Sequence, residues 1–184
     1  LVGITSYNAL YSSNNGGHTW TLRKTPNIYF MNILDISNKV YLQNYKGIYT
    51  IYGNESVSTL LQKDNMQHAV INKKGDFIYA LSMINHDTFQ KHITKDGGKT
   101  WNSSEPHESM PNNCSILIAN ESCTQMAILS KYKNEDENKL YISNDYGVTW
   151  HLYISNYVTS FININYLDNG HLVATNHNNL YILY

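Results

Sequence analysis

The sequence predicts an all-β fold built from repeated units of four short strands, and three observations support this prediction. Apolar residues make up 42% of the 184-residue chain and charged residues 15%, a composition typical of globular proteins. No stretch keeps the apolar spacing of an amphipathic helix for three turns, whereas strand-favouring Tyr, Ile, Val and Thr are frequent. Finally, one short string returns three times, as SSNNGGHTW, ITKDGGKTW and ISNDYGVTW.

The three strings align as one motif: a hydroxyl residue, then Asp or Asn, Gly and Trp at fixed spacing. Its members are Ser13, Asn15, Gly17 and Trp20; Thr94, Asp96, Gly98 and Trp101; and Ser143, Asp145, Gly147 and Trp150. The first two copies are 81 residues apart and the last two 49, so the wider gap predicts a degenerate copy. The segment VYLQNYKGIYTIYGN around Gly47 keeps the strands of that copy and lacks the motif.

Each repeat contains four apolar or alternating segments, which we label strands A to D. Strands A and B flank a short polar turn in FMNILDISNKVYLQN, HAVINKKGDFIYALS, SILIANESCTQMAILS and SFININYLDNGHLVAT, a hairpin pattern. Strand C precedes the motif, and strand D begins at its Trp. Four-stranded units that repeat every 40–50 residues or so are typical of β-propeller blades.

We predict one β-propeller segment over residues 1–184, with blades at about 28–62, 66–106 and 113–155 and partial blades at 1–25 and 159–184. The first partial blade supplies strands B, C and D, and the last supplies A, B and C. These pieces do not close into a ring of four blades, because a second B and C are left over. We therefore expect about three complete blades and two partial ones from a larger propeller. The alternative is that the open sheet edges pair with another copy of the chain.

The motif has the chemistry of a tight turn between strands C and D. Its glycines take positive φ without steric cost. The side chains of Asn15, Asp96 and Asp145 are expected to accept N–H groups of the turn, and the hydroxyl residue adds a further hydrogen bond. The Trp side chain is expected to be buried beneath the turn.

These strings resemble the Asp-box, or BNR, repeat (S/T-x-D-x-G-x-x-W) of sialidases, of Vps10/sortilin-type receptors and of other propellers. The resemblance covers three boxes and, through the repeat, essentially the whole chain, with Asn15 in place of the Asp of the motif. It implies a propeller in which the boxes are structural and lie away from the active site. It also favours a secretory or extracellular protein, although the residues themselves leave the compartment open.

For a sialidase, the resemblance implies an arginine triad on the substrate carboxylate, a Tyr/Glu nucleophile pair and an Asp acid–base. Arg23 is the only arginine in the sequence, and lysine does not replace the bidentate guanidinium fork. No catalytic residue is therefore predicted in this chain. The sequence favours a non-catalytic binding or scaffold propeller. The alternative is a fragment of a sialidase-like glycoside hydrolase whose catalytic residues lie outside the chain.

Composition and spacing argue against several partners and cofactors. The formal net charge is −1, so there is no basic field for nucleic acid, and no apolar run reaches the ~20 residues of a membrane span. The eight His residues lack zinc-site spacing, so neither a metal nor another cofactor is predicted. Four N-x-S/T sequons match the number expected by chance and give no evidence of secretion: Asn54, Asn102, Asn113 and Asn120.

Cys114 and Cys123 are predicted to be free thiols, without a disulfide. They are expected to begin strands A and B of one hairpin and so to lie at its opposite ends. At ~3.3 Å per residue this separation is roughly 15 Å, whereas a disulfide needs Cα atoms within about 7 Å.

The longest predicted loops share one face of the propeller. Strand direction alternates, so the A–B turns and the boxes lie on one face (the box face), and the B–C and D–A connections lie on the other (the long-loop face). The segments MINHDTFQKH, NSSEPHESMPNN and KYKNEDENK belong to the long-loop face, and loops longer than a connection requires are often functional. We predict that this face binds a protein, peptide or glycan, the alternative being plain solvated loops. The candidate residues are Asp87, Glu105, Glu108, Glu135, Asp136 and Glu137.

Overall fold

The computed structural model describes residues 2–4, 10–22, 32–36, 39–52, 57–85, 88–131, 138–153 and 161–183. Within these ranges the chain consists of β-strands and turns and contains no α-helix. It forms two compact units, Leu1–Gln67 and His68–Tyr184. The predicted all-β class is therefore confirmed.

The first unit contains two antiparallel sheets. One has three strands in the order β1-β2-β3, and the other has four in the order β4-β5-β6-β7. Leu10 of the first sheet packs with Leu42, Tyr49 and Ile51 of the second in a common buried cluster. The strands are β1 (Val2–Ile4), β2 (Leu10–Ser12), β3 (Thr21–Leu22), β4 (Asn32–Ile36), β5 (Lys39–Asn44), β6 (Gly47–Tyr52) and β7 (Ser58–Gln62).

The second unit contains three antiparallel sheets, and its first strand begins two residues before the division. Each sheet joins strands that follow one another in sequence, with orders β8-β9-β10-β11, β12-β13-β14-β15 and β16-β17-β18. The strands are β8 (Met66–Ile71), β9 (Ile78–Asn85), β10 (Thr88–Thr94), β11 (Asn102–Ser104), β12 (Ile116–Ala119), β13 (Met126–Lys131), β14 (Asn138–Ser143), β15 (His151–Tyr153), β16 (Asn163–Tyr166), β17 (Leu172–Thr175) and β18 (Leu180–Leu183).

Strand β13, the second strand of its sheet, is buried on both of its faces. In β13, every side chain from Met126 to Ser130 is at most 1% exposed. Successive side chains of a strand point to opposite faces, and they divide here between two cores. Met126 and Ile128 belong to a core shared with the sheet β8–β11, which we call the first core. Ala127 and Leu129 belong to a second core shared with the sheet β16–β18.

This two-sided burial explains the composition of β13 and β9. A strand covered on both faces needs a continuous apolar run instead of an alternating one, and the runs Met126–Leu129 in β13 and Ile78–Leu81 in β9 follow that rule. Full burial of one Leu or Ile side chain contributes about 1.5–3 kcal/mol. The stability of the second unit therefore depends on contacts between neighbouring sheets as well as within each sheet.

One predicted long loop is mostly strand. The sequence predicts a long B–C connection in the segment MINHDTFQKH, but β9 extends to Asn85 and β10 starts at Thr88. Thr88 pairs with Asn85, and the register shifts between Thr88 and Phe89. Asn85 and Thr88 are exposed, and Ile84 is 47% exposed, so this end of the hairpin extends past the core; His86 and Asp87 lie outside the described residues.

The third box approaches the neighbouring sheet closely at Gly147. A Cβ atom at this position would lie 2.6 Å from Cε2 of Tyr79 on β9. Gly147 also has a φ of +74°, a backbone conformation that a side chain rarely adopts. The residue is therefore required both by the turn and by the packing of the two sheets.

Replacing Gly147 with Ala is expected to destabilise the chain more than replacing Gly170 with Ala. Gly170 has a similar φ of +84° but no atom within 4 Å of an added Cβ, so Gly170→Ala reports backbone strain alone, roughly 1–2 kcal/mol. Gly147→Ala adds the clash with Tyr79, about 1–3 kcal/mol more. Urea denaturation of both variants measures the difference. Equal midpoints would show that the sheets do not need this close approach.

Candidate functional site

The second box is a turn closed by side-chain hydrogen bonds. The Thr94 hydroxyl donates to Oδ1 of Asp96 over 2.7 Å and accepts the backbone N–H of Gly98 over 2.9 Å. Asp96 also accepts the backbone N–H and the hydroxyl of Thr100, at 2.9 and 2.6 Å. The hydroxyl residue and the carboxylate thus bind both halves of the turn.

The same network occurs in the other two boxes. In the third box, Asp145 accepts from Ser143 Oγ over 2.7 Å, and its two oxygens accept from the N–H and the hydroxyl of Thr149. In the first box, the amide of Asn15 replaces the carboxylate. Its oxygen accepts the Thr19 N–H, and its Nδ2 donates to Thr19 Oγ1 over 2.8 Å. An amide therefore also supports the turn. The Thr19 hydroxyl accepts a hydrogen bond from Asn15, whereas the corresponding Thr hydroxyl of the other two boxes donates one to the Asp carboxylate.

The hydrogen bonds lower the pKa of both box aspartates. For Asp96, the hydroxyl of Thr100 is the main cause, and the pKa falls well below its usual range. For Asp145, partial burial raises the pKa, but the hydrogen bonds from Thr149 and Ser143 outweigh it, so the pKa falls to about 2. Donors of its own turn thus keep each carboxylate ionised, and in this geometry the carboxylate stabilises the turn.

The three box tryptophans are not all buried, contrary to the sequence-based expectation. Trp150 is 3% exposed and packs edge-on against Tyr79 at a centroid distance of 6.5 Å. Trp101 is half-buried, and its Nε1 donates to the carbonyl of Gly98. Trp20, however, is 45% exposed. Residues of the adjacent sheet cover the Trp150 side chain, so the turn alone does not bury it.

The two cysteines are free and buried, but their positions differ from those expected. Cys114 precedes β12, and Cys123 lies in the A–B turn before β13 with a φ of +58°. Neither residue therefore begins a strand. Burial raises the pKa of both thiols, that of Cys123 to about 12, so neither is a reactive thiolate at neutral pH.

Two of the predicted binding residues lie beside one cavity. Glu105 and Glu108 are both exposed and belong to the connection 105–115, which follows β11. Together with His107 and with Thr88 at the start of β10, they line a cavity of about 320 Å³. We call this the loop cavity. Asp87, Glu135, Asp136 and Glu137 lie outside the described residues.

The connection 105–115 is anchored at its centre. Met110 and Pro111 are buried, and the Tyr79 hydroxyl contacts Met110 Sδ at 3.7 Å. Ser109 Oγ accepts the backbone N–H of Trp150 over 2.9 Å and lies 2.8 Å from Nδ1 of His107. The connection is thus not simply a surface loop: its middle is held between two sheets while Glu105, His107 and Glu108 stay exposed.

A Ser–His–Ser arrangement that the sequence did not reveal crosses the sheet β8–β11. His92 is fully buried, with Nε2 2.8 Å from Ser82 Oγ and Nδ1 2.7 Å from Ser103 Oγ. The three residues come from β9, β10 and β11, and the register between the strands brings them together. Because Ser82 is only 1% exposed, no substrate reaches its hydroxyl. The arrangement satisfies a buried polar group.

A larger cavity, which the sequence also did not reveal, lies on the box face. It has a volume of about 710 Å³ and is bounded by the A–B turns of two neighbouring sheets and by the third box. We call it the box-face cavity. The nearest sequence signal is Tyr146, which stands where the other two boxes have Gly16 and Gly97.

The described residues contain neither a metal-binding group nor a membrane-spanning helix. Among them, no three His, Cys, Asp or Glu side chains are placed to hold one metal ion. In this described part of the chain, no helix is long and apolar enough to cross a membrane.

Comparison with known proteins supports the repeat and the fold. The model of the BNR/Asp-box repeat matches residues 141–152, the third box with parts of β14 and β15. No curated protein sequence matches the chain significantly.

Several solved structures resemble the chain. YCF48 from Cyanidioschyzon merolae has a TM-score of 0.67 at 11% identity, over 94% of this chain and 62% of that chain. YCF48 bound to D1 peptide has a TM-score of 0.64 at 12% identity, over 94% and 57% of the two chains. An ancestral GH74 enzyme has a TM-score of 0.64 at 16% identity, over 94% and 25%.

The fold and the repeat together define the class: the chain is a β-propeller segment with Asp-box repeats. At these identities the likeness to solved structures concerns the fold alone. The chain spans 57% of the peptide-bound YCF48 structure and 25% of the GH74 enzyme.

The box aspartates are expected to make the second unit sensitive to acid. The folded pKa of Asp145 is about 2, below its ordinary value of 3.8, so the unfolded chain binds protons more tightly. The stabilisation is therefore present above about pH 4 and is lost as the pH falls toward 2. Urea denaturation of the wild type between pH 5 and pH 2.5 should show this decline.

Replacing Asp145 with Asn should reduce that pH dependence, and Asp96→Asn with Asp145→Asn should reduce it further. Since Asn15 already supports the first box, the variants should fold, and Asp145→Asn should cost about 1 kcal/mol near neutral pH. A pH dependence identical to that of the wild type would show that the box carboxylates do not contribute.

Proposed function

We propose that this chain is a non-catalytic binding propeller that recognises a peptide or protein segment at the loop cavity. The proposal rests on one observation: the centre of the connection 105–115 is buried, while its acidic residues Glu105 and Glu108 are exposed. Loops longer than a connection needs are often binding elements. The exposed groups Glu105, His107 and Glu108 supply carboxylate acceptors and an imidazole at one open cavity.

Preorganisation favours recognition at this connection. Binding costs about 0.5–1.5 kcal/mol for each flexible side chain that has to be immobilised, and ordering of a loop adds to that cost. Here Met110 and Ser109 already hold the backbone through Tyr79 and Trp150. A partner would therefore meet a backbone that needs little reordering.

The acidic groups favour a partner with basic side chains. Glu105 and Glu108 both line the cavity and are exposed, so a Lys or Arg of the partner would gain two carboxylate acceptors. The same general fold is found in YCF48 bound to D1 peptide, which supports peptide recognition by a propeller of this kind. A glycan fits the same proposal only if its hydroxyl groups donate hydrogen bonds to these carboxylates.

We propose further that the functional protein contains more blades than this chain. In the part of the chain that the structure describes, the sheets β1–β3 and β16–β18 have three strands each, and the chain spans 57% of the peptide-bound propeller that it resembles. Additional blades of the same protein, or a second copy of the chain, would complete these sheets.

A second candidate is a fragment of a glycoside hydrolase whose catalytic residues lie outside the chain. Its support is the likeness to the GH74 enzyme, of which the chain spans a quarter. This candidate predicts that the longer natural protein hydrolyses aryl glycosides, and that variants of Glu105 and Glu108 bind peptides no worse than the wild type.

The test is selection from a displayed library of random short peptides, followed by affinity measurements on the recovered peptides. We expect basic sequences to be recovered, and Glu108→Lys to weaken their binding about fivefold or more. Asp168→Lys, which makes the same charge change in the exposed turn before β17, is the control and should not alter affinity. Equal losses in both variants, or none in Glu108→Lys, would contradict the loop cavity as the site.

A further inference from the structure

The box-face cavity lies on the opposite side of the same sheets from the loop cavity. The A–B turns at 72–77 and 120–125, together with the third box, surround it. Its volume of about 710 Å³ falls within the range of about 300–1,000 Å³ that is typical of ligand sites. The proposed function of the loop cavity does not involve it.

The floor of the box-face cavity is apolar and aromatic. Phe77 and Tyr146 pack against each other with their ring centroids 5.4 Å apart, at an angle of 58°. Ile93 and Val148 complete this surface. Tyr146 and Val148 are 45% and 48% exposed, so the cavity offers apolar area that the described chain leaves in contact with solvent.

Tyr146 is held in an unfavourable backbone conformation. Its φ is +60°, in the left-handed region, and the equivalent residues Gly16 and Gly97 have φ values of +70° and +71°. Glycine adopts this conformation freely, whereas a bulky residue adopts it at a cost. The turn forms in the other two boxes with glycine, so the turn itself does not require the tyrosine side chain. A strained residue beside a cavity points to a role in binding.

Hydrogen bonds between the two A–B turns fix the walls of the cavity. The backbone N–H of Lys73 donates to the carbonyl of Glu121 over 2.7 Å. The side chains of the same residues form an ion pair of 2.8 Å. The backbone N–H of Tyr146 also donates to the carbonyl of Thr124 over 3.3 Å. The cavity is therefore formed before any ligand binds.

One lysine at the cavity makes an ion pair, and two further lysines make none with the described residues. Glu121 pairs with Lys73, whereas Asp145 and Asp76 accept hydrogen bonds from neutral groups of their own turns. Lys74 and Lys95 line the same cavity and are exposed. Neither makes an ion pair with any residue that the structure describes.

We propose that the box-face cavity binds a peptide segment in which an apolar side chain stands beside an acidic side chain. The apolar side chain packs on Phe77 and Tyr146, and the carboxylate lies near Lys74 and Lys95. Charge complementarity favours this occupant, because neither Lys74 nor Lys95 has an ion-pair partner among the described residues and a neutral glycan would supply none. The box-face cavity and the loop cavity are separate sites, so one of the two proposals can be wrong while the other is right.

The probe is the capped tetrapeptide acetyl-Ser-Leu-Glu-Ser-amide, titrated into the ¹⁵N-labelled chain and followed by amide chemical shifts. We expect saturable shifts at Lys73, Phe77, Ser122 and Tyr146. Two matched probes, with Gln in place of Glu and with Ser in place of Leu, should bind more weakly. Raising the salt concentration should weaken only the acidic probes.

Two variants separate binding from folding. Tyr146→Gly restores the residue type of the other boxes, so it should unfold cooperatively like the wild type and lose the saturable shifts. Lys74→Gln with Lys95→Gln should weaken the acidic probe roughly three- to tenfold and leave the Gln probe unaffected.

The proposal would be overturned by any of three results. The first is shifts that map away from the cavity, and the second is equal binding of all three probes. The third is wild-type affinity in a folded Tyr146→Gly variant.

Discussion

The structure depends on one packing constraint: a sheet in the middle of the second unit must cover apolar side chains on both faces. Strand β13 shows this most directly, since its side chains alternate between two cores supplied by different neighbouring sheets. Such a strand is stable only while both neighbours are in place. The close approach of Gly147 to Tyr79 follows from the same constraint, because a wider turn would hold the sheets apart. The box network of Asp145 keeps that turn compact.

Much of this architecture could be predicted because it is encoded locally. The spacing from Ser143 to Trp150 contains the side-chain network of the turn, as the hydrogen bonds of Ser143 and Asp145 join residues no more than four positions apart. The continuous apolar run of β13 similarly indicates burial on both faces. The resemblance to Asp-box repeats added the propeller to this local information, and the likeness to solved propellers supports it.

The features that the sequence did not reveal depend on residues far apart in the chain. The burial of Trp150 and the exposure of Trp20 depend on what packs beside each box, and that contact is not local. The hairpin β9–β10 extends past the core, so Asn85 and Thr88 have the composition of a loop although they pair with each other. The box-face cavity joins Phe77 to Tyr146, 69 positions later, and periodicity gives no sign of such a pair. Of the six acidic residues predicted to form a binding face, the structure describes Glu105 and Glu108, which line one cavity.

The two cavities give the same two sheets two chemically different surfaces. The loop cavity presents carboxylates on a connection anchored in the first core, whereas the box-face cavity presents an aromatic floor beside Lys74 and Lys95, which make no ion pair with the residues that the structure describes. Both are built from turns and connections of the same two sheets. A substitution that separates the sheets would therefore affect both surfaces, and a substitution at either rim would affect only one.

The most direct test of the packing constraint is hydrogen exchange in β13 after a change in a neighbouring sheet. Leu172 on β17 is 5% exposed and belongs to the second core, so Leu172→Ala removes packing from one face of β13 without changing that strand. Amide exchange measured by mass spectrometry should accelerate in Met126–Lys131 as well as in β16–β18. Acceleration confined to β16–β18 would show that each sheet is stable by itself and would contradict the central claim.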